Sequence, residues 1–133
     1  MSGATAIDTN VLVRLLAGDD PAQARRALTL LEAGPVWIPR TVLLETVWVL
    51  RRAYGLADER IQELVAGLLA VEGAGIEARP EVDQALAWWR GGLDFANALH
   101  LAASAAATRF VTFDRTLVRR ARPLATQPPV VPA

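Results

Sequence analysis

Short apolar runs alternate along the chain with longer segments in which apolar residues recur at helical spacing. The apolar runs predict strands, at residues 4–7, 36–38, 75–78, 110–112 and 124–126. The longer segments predict helices, at about residues 10–16, 20–32, 39–55, 58–72, 80–91, 94–108 and 114–122. The strand at residues 4–7 is expected to be buried, and the proline-containing tail at residues 127–133 is expected to be irregular.

This alternation predicts an α/β fold with a mostly parallel sheet of four or five strands and helices on both faces. The chain of 133 residues is long enough for one domain and too short for two, so a single domain over residues 1–133 is expected. Ligands of such folds bind beyond the carboxyl ends of the strands. Asp8 and Asp114 each follow a predicted strand, which places both at that edge of the sheet.

Four acidic residues stand in or beside apolar segments, and they are the candidate catalytic residues: Asp8, Glu45, Asp94 and Asp114. An acid in apolar surroundings costs desolvation free energy, and four acids brought together repel one another. A divalent cation that prefers hard oxygen ligands removes both costs. The pattern therefore indicates a Mg²⁺ or Mn²⁺ site and phosphoryl chemistry.

Each acid also has a structural interpretation. Asp8, Asp94 and Asp114 precede predicted helices and can act as N-caps. Glu45 lies inside a predicted helix with apolar residues on most sides, so it is expected to be buried, and pairing with Arg52 or another arginine is its alternative. The four acids taken together favour the metal site more than any one of them does.

Composition excludes several kinds of chemistry. All 14 basic residues are arginine, so mechanisms that need a lysine, such as a Schiff base or a P-loop, are excluded. The chain has no cysteine, which excludes thiol nucleophiles, zinc–cysteine sites and disulfides and fits a cytoplasmic protein. The formal net charge of zero predicts no polyanionic partner from bulk charge alone. No signal peptide and no membrane span are expected.

Four motifs, in order, resemble those of PIN domains, and specifically of the VapC-type toxin ribonucleases. They are Asp8-Thr9-Asn10-Val11-Leu12, Glu45 in its apolar helix, Asp94-Phe95-Ala96-Asn97-Ala98-Leu99-His100 and Thr112-Phe113-Asp114-Arg115. The resemblance implies a three-layer α/β/α domain and a Mg²⁺- or Mn²⁺-dependent endoribonuclease of a type II toxin–antitoxin pair. It also implies an RNA substrate, a small VapB-like antitoxin that covers the site, and a toxin homodimer.

The third motif departs from the family, which usually has a second aspartate where this chain has Asn97. Asp94 lies three residues earlier, on about the same helix face. An amide oxygen can bind a hard cation but brings no charge, and one lost charge is worth on the order of a few kcal/mol at an effective dielectric near 20. A naturally attenuated enzyme is therefore one expectation, and a deliberate substitution that allows a toxic protein to be produced is another. A PIN-like module that binds RNA or an antitoxin without cutting is the alternative.

With this resemblance, the expected metal ligands are Asp8, Glu45, Asp94, Asn97 and Asp114. The expected hydrogen-bond partners of the ligands or of the phosphate are Thr9, Asn10, Thr112 and Arg115. Two other enzyme classes fit less well. A haloacid-dehalogenase-type phosphatase needs a second aspartate where Asn10 stands, and structure-specific DNA nucleases of the PIN superfamily are usually longer.

Overall fold

A computed structural model describes residues 3–133, which form two compact units that divide between Arg79 and Pro80. Over these residues the chain has seven α-helices and five strands, and every strand pairing is parallel. The predicted α/β class is therefore confirmed. The strands belong to a three-stranded and a two-stranded sheet, whereas the sequence predicted one sheet of four or five strands. The prediction of a single domain over the whole chain stays a prediction.

The first unit has a three-stranded sheet in the order β1-β2-β3 and four helices. Its strands are β1 (Thr5–Ala6), β2 (Val36–Ile38) and β3 (Ala74–Ile76). Its helices are α1 (Thr9–Ala17), α2 (Pro21–Ala33), α3 (Arg40–Arg52) and α4 (Asp58–Leu69). Helix α1 packs against α2 and α3, α3 packs against α4, and α4 packs against β3. The core of this unit therefore lies between helices and sheet, with side chains such as Leu12, Leu43, Leu50, Ile61 and Val65 fully buried.

Strand β1 is exposed, and the expectation that it would be buried is wrong. Thr5 and Ala6 both face solvent, and only the following Ile7 is buried. Strand β1 has only two residues, and within the first unit it pairs with β2 alone, so it is a short edge strand. A short apolar run does not by itself show whether a strand will have neighbours on one side or both.

The second unit has helices α5 (Arg79–Arg90), α6 (Phe95–Ala102) and α7 (Arg115–Ala121), a 3₁₀ helix (Arg122–Leu124), and strands β4 (Phe110–Thr112) and β5 (Val130–Pro132). Helix α7 packs against both strands, which pair in parallel. Trp88 and Trp89 of α5 are buried, and the Trp89 ring lies 4.8 Å from that of Phe95, centroid to centroid. This aromatic contact joins the end of α5 to the beginning of α6.

Two helices, one in each unit, end earlier than predicted. Helix α6 ends at Ala102 rather than at about residue 108, and the exposed alanines beyond it form turns, since Ser104 N–H bonds to the Leu101 carbonyl at 3.0 Å. A helix with no apolar face to bury is not sustained by alanine content alone. Helix α4 likewise ends at Leu69, short of Glu72.

The last strand also lies elsewhere than expected. Residues 122–124 form the 3₁₀ helix and Ala125 is left-handed at φ 49°, so there is no strand at residues 124–126. Strand β5 instead occupies residues 130–132, within the tail that was expected to be irregular. It tolerates Pro132 because it pairs with β4 on one side only and the bond to β4 at this point comes from the Ala133 N–H, which donates to the Thr112 carbonyl at 2.9 Å.

No helix among residues 3–133 is both long enough and apolar enough to cross a membrane.

Candidate functional site

Asp8 is the N-cap of α1, two residues beyond the end of β1. Its Oδ1 accepts a hydrogen bond from the Val11 N–H at 3.1 Å, so the structural interpretation of this acid is realised. Helix α1 ends at Gly18, whose φ of 65° is left-handed. The Asp8 side chain is exposed, and one N–H bond leaves most of the lone pairs of a carboxylate available. Capping and ligand binding are therefore compatible at this residue.

Thr9 joins the first motif to Glu45. Its hydroxyl donates a hydrogen bond to Glu45 Oε1. Thr9 is the first residue of α1, and Glu45 lies near the middle of α3, the helix on which α1 packs. The contact brings the carboxylate of the second motif to the residue that directly follows Asp8.

Glu45 is exposed, so the expectation that it would be buried is wrong. Helix α3 buries its other face, through Leu43, Thr46, Val47 and Leu50. Glu45 accepts from Thr9 rather than pairing with Arg52, and the neighbouring Arg51 pairs with Asp58 at 3.0 Å. Leu43 and Val47, two residues before and after Glu45, belong to this buried face, and their proximity in the sequence explains why Glu45 was expected to be buried.

Glu77 has a role in the first unit that the sequence did not reveal. Helix α3 has Pro39 at its N-cap, which offers no side-chain acceptor. Glu77 Oε1 accepts the Arg40 N–H at 2.9 Å instead, and the Arg40 Nε lies 3.7 Å from the same oxygen. Residue 77 was predicted to lie inside a strand, but β3 ends at Ile76. The only signal in the sequence was that the start of α3 has no capping side chain of its own, and this does not indicate that Glu77 supplies the cap.

Arg14, Asp19 and Tyr54 form a hydrogen-bonded cluster that ties α1 to the end of α3. Arg14 Nη1 lies 2.6 Å from the Tyr54 hydroxyl and 3.3 Å from Asp19, and the Tyr54 hydroxyl donates to Asp19 at 2.9 Å. Desolvation raises the pKa of Asp19, but the hydrogen bond from Tyr54 and the charge of Arg14 outweigh it, so the pKa is lowered. Desolvation and the hydrogen bond to Asp19 raise the pKa of Tyr54.

The third motif lies at the start of α6 in the second unit. Asp94 occupies the N-cap position, but its side chain makes no capping hydrogen bond, so that alternative is not realised for Asp94. Asn97 is the third residue of the helix and is half-buried. His100, one turn later, is exposed.

The fourth motif forms a turn between β4 and α7. Asp114 is the N-cap of α7, where its Oδ1 accepts the Leu117 N–H at 3.1 Å. The N–H of Asp114 in turn donates to Thr112 Oγ1 at 3.0 Å. These two bonds fix the backbone on both sides of Phe113, whose side chain is 91% exposed. Arg115, the first residue of α7, is also exposed.

The PIN domain family model matches residues 5–123. The chain belongs to the PIN domain family. Proteins of this family are typically nucleases and usually use divalent metals. None of the curated proteins compared with the chain matches it. The resemblance to PIN domains is thus confirmed, and its narrower part, the likeness to VapC-type toxins, stays a prediction.

The donors of this PIN domain suit a hard divalent cation, because all are carboxylate or amide oxygens. Asp8 and Glu45 belong to the first unit, and Asp94, Asn97 and Asp114 to the second. Within neither unit, over residues 3–133, do three or more His, Asp or Glu side chains gather as they would around a metal ion. The convergence of all four motifs on one site stays a prediction.

Proposed function

We propose that this PIN domain is a Mg²⁺- or Mn²⁺-dependent endoribonuclease, the toxin of a type II toxin–antitoxin pair, which acts on RNA phosphodiesters in the cytoplasm. The hydrogen bond from Thr9 to Glu45 carries the proposal. It draws the carboxylate of α3 to the residue after Asp8, so two motifs separated in sequence supply acids to the same region. Family membership supports the nuclease part, and the similarity of all four motifs to VapC-type toxins supports the rest.

Asp8, Glu45, Asp94, Asn97 and Asp114 are the residues proposed to hold the cation. When bound, such an ion lowers the pKa of a coordinated water and neutralises charge on the phosphoryl oxygens. Thr9 holds Oε1 of Glu45, which leaves Oε2 to orient the attacking water and accept its proton. Arg115 is exposed beside Asp114 and is proposed to contact the substrate phosphate. Asn10 and Thr112 are proposed to hold ligands in place by hydrogen bonds.

Asn97 is proposed to attenuate this activity. It offers an amide oxygen where a carboxylate would add a full negative charge, so the cation is held less tightly. Asp94, three residues earlier in the chain, is proposed to supply part of the missing charge.

A small VapB-like antitoxin and a second copy of the chain are the proposed protein partners. Trp48 supports a partner surface, because it is 59% exposed on α3, one turn beyond Glu45. A groove of about 280 Å³ between α1 and α2, lined by residues that include Asn10, Val11, Arg14 and Leu30, supports a binding place for an antitoxin segment. Sedimentation of the purified protein tests the homodimer, which a monomer at high concentration would refute.

The alternative is a PIN module that binds RNA or an antitoxin without cutting, and Asn97 favours it. Calorimetric titration with Mn²⁺, together with cleavage of labelled RNA, separates the two functions when applied to the parent protein and to Glu45→Gln. The nuclease proposal expects metal-dependent cleavage that Glu45→Gln abolishes. RNA binding with no cleavage under any divalent metal, in the parent and in Asn97→Asp, would favour the binding module.

A further inference from the structure

Among residues 3–133, Phe113 is the most exposed large apolar side chain, at 91%. The turn that carries it is fixed by the bond from Asp114 N–H to Thr112 and by the bond from Leu117 N–H to Asp114. The ring therefore projects from a defined backbone at the end of β4, beside a candidate catalytic acid. An aromatic ring held in solvent on a fixed turn contributes nothing to the core of its own unit, so its role has to be sought in what it contacts from outside.

Helix α7 continues from this turn with exposed arginines on one face. Arg115 and Arg119 of α7, and Arg122 at the start of the 3₁₀ helix that follows it, are spaced four and three residues apart, and all three are exposed. The opposite face of the helix is buried through Leu117 and Ala121. Guanidinium groups on one helix face, directly beyond an exposed ring, form a surface that is aromatic at one end and cationic along the rest.

We propose that Phe113 and this arginine face form a subsite for single-stranded RNA. Phe113 stacks on an unpaired base next to the phosphate that is cut, and the guanidinium groups contact the phosphates that follow. Proteins that hold single strands combine these two elements, since every base has a face to stack and every linkage has a charge. The proposal deepens the proposed function, on which it rests, by assigning the substrate form and the residues that select it.

A protein partner is the competing occupant of this surface, and the surface does not suit one. Val111 on β4 is 50% exposed, so the strongly exposed large apolar side chains of this surface are two, Phe113 and Val111, beside Asp114 and the arginines. A stable protein interface buries roughly 800 Å² on each partner and has an apolar centre with few charges. Two apolar side chains in charged surroundings match a nucleotide better.

Binding of a short fluorescent 2′-O-methyl oligonucleotide of mixed sequence, measured in EDTA, tests the stacking role without cleavage. We expect Phe113→Ala to weaken binding about tenfold, the loss that removal of one stacking aromatic causes. Phe113→Trp should bind as the parent does. Leu28→Ala, which truncates a half-exposed apolar residue of α2, is the control and should change nothing. A duplex of the same sequence should show little effect of Phe113→Ala, because its base faces are already stacked.

The arginine face is tested by a pair of substitutions with the same change in charge. Arg119→Gln should reduce the slope of log affinity against log salt by about 0.7, one phosphate contact on a single strand. Arg120→Gln, in the same helix but on another face and near the Gly92 carbonyl at 3.5 Å, should leave the slope unchanged. Equal slopes for the two variants would overturn this part of the subsite.

Cleavage of the unmodified strand with Mn²⁺, measured in parallel, separates failure of the subsite from failure of the proposed function. If the parent cuts RNA but Phe113→Ala binds as tightly as the parent, the subsite is wrong and the nuclease stands. If the parent does not cut RNA, yet Phe113→Ala weakens binding of single strands and not of the duplex, the subsite stands and the nuclease proposal fails. A parent that binds no single strand, or a Phe113→Ala variant that converts a dimer to a monomer in sedimentation, would overturn the subsite.

Discussion

The Thr9 hydroxyl donates a hydrogen bond to the carboxylate of Glu45, 36 residues later in the chain. The bond joins the first turn of α1 to the middle of α3 and orients one oxygen of Glu45. A glutamate side chain at the surface of a helix can adopt several rotamers, and a hydrogen bond that its carboxylate accepts from a hydroxyl favours one of them. The sequence predicts that Thr9 bonds to a ligand or to the phosphate, and we propose that in the site it positions Glu45.

Replacing Thr9 tests this positioning. Thr9→Val keeps the shape of the side chain but removes the donor, and we expect Mn²⁺ affinity or cleavage to fall by about tenfold, as for other groups that orient ligands. Thr9→Ser keeps the hydroxyl and should retain most of the affinity. Stability should change by about 1 kcal/mol or less in either variant, because the bond is exposed. If Ser and Val variants lose affinity equally, the hydroxyl does not position Glu45.

Neutralising Glu45 should leave the fold intact. Glu45 is exposed, so Glu45→Gln should change the free energy of unfolding in chelator by no more than about 0.5 kcal/mol. The same substitution should abolish metal binding, since it removes a charged ligand. Thermal unfolding with and without Mn²⁺ measures both effects. A large drop in Tm in chelator would show that Glu45 has a structural role instead.

Restoring an acid at position 97 should strengthen the site. Asn97→Asp adds a carboxylate to the donors, which deepens the electrostatic attraction for the cation and further lowers the pKa of bound water. We expect tighter Mn²⁺ binding by calorimetry, faster RNA cleavage and toxicity on expression in a host cell. If the parent already cuts RNA and Asn97→Asp changes nothing, Asp94 supplies the ligand that the family usually has at position 97.

Glu77 should stabilise the helix that carries Glu45. Glu77→Ala removes the acceptor of the Arg40 N–H, and the loss of a helix cap costs about 1 kcal/mol of unfolding free energy. Glu77→Gln keeps an oxygen acceptor and should lose less. Urea unfolding of both variants measures the difference. Equal stability of the Ala variant and the parent would mean that water replaces the cap at no cost.

The Arg14–Asp19–Tyr54 cluster should make stability depend on pH. The pKa of Asp19 is lowered in the folded protein, so its contribution is present above its unfolded value of 3.8 and is lost as the pH falls through the folded value. Tyr54→Phe removes the hydrogen bond that helps to lower this pKa. We therefore expect the variant to be less stable than the parent near neutral pH, with a smaller difference in strong acid. Urea midpoints at the two pH values check this, and a constant difference would contradict it.

Local interactions could be predicted from the sequence. Strands β2 and β4 lie at the predicted residues, and Asp8, Asp20 and Asp114 cap the helices that they precede. Each cap bond joins residues three apart, so a short segment contains both the donor and the acceptor. The four motifs, and with them membership of the PIN domain family, were also available from the order of the residues.

Tertiary structure decided what depends on residues far apart in the chain. It placed Glu45 on the exposed face of α3 next to Thr9, gave α3 its cap from Glu77, and paired Val130–Pro132 with β4. It also left the Phe113 ring in solvent, whereas the apolar character of the side chain alone would favour the core. The spacing of apolar residues in the sequence determines which side chains share a face of a helix or strand. Which of these faces is buried, and what it contacts, is decided only when distant segments of the chain pack together.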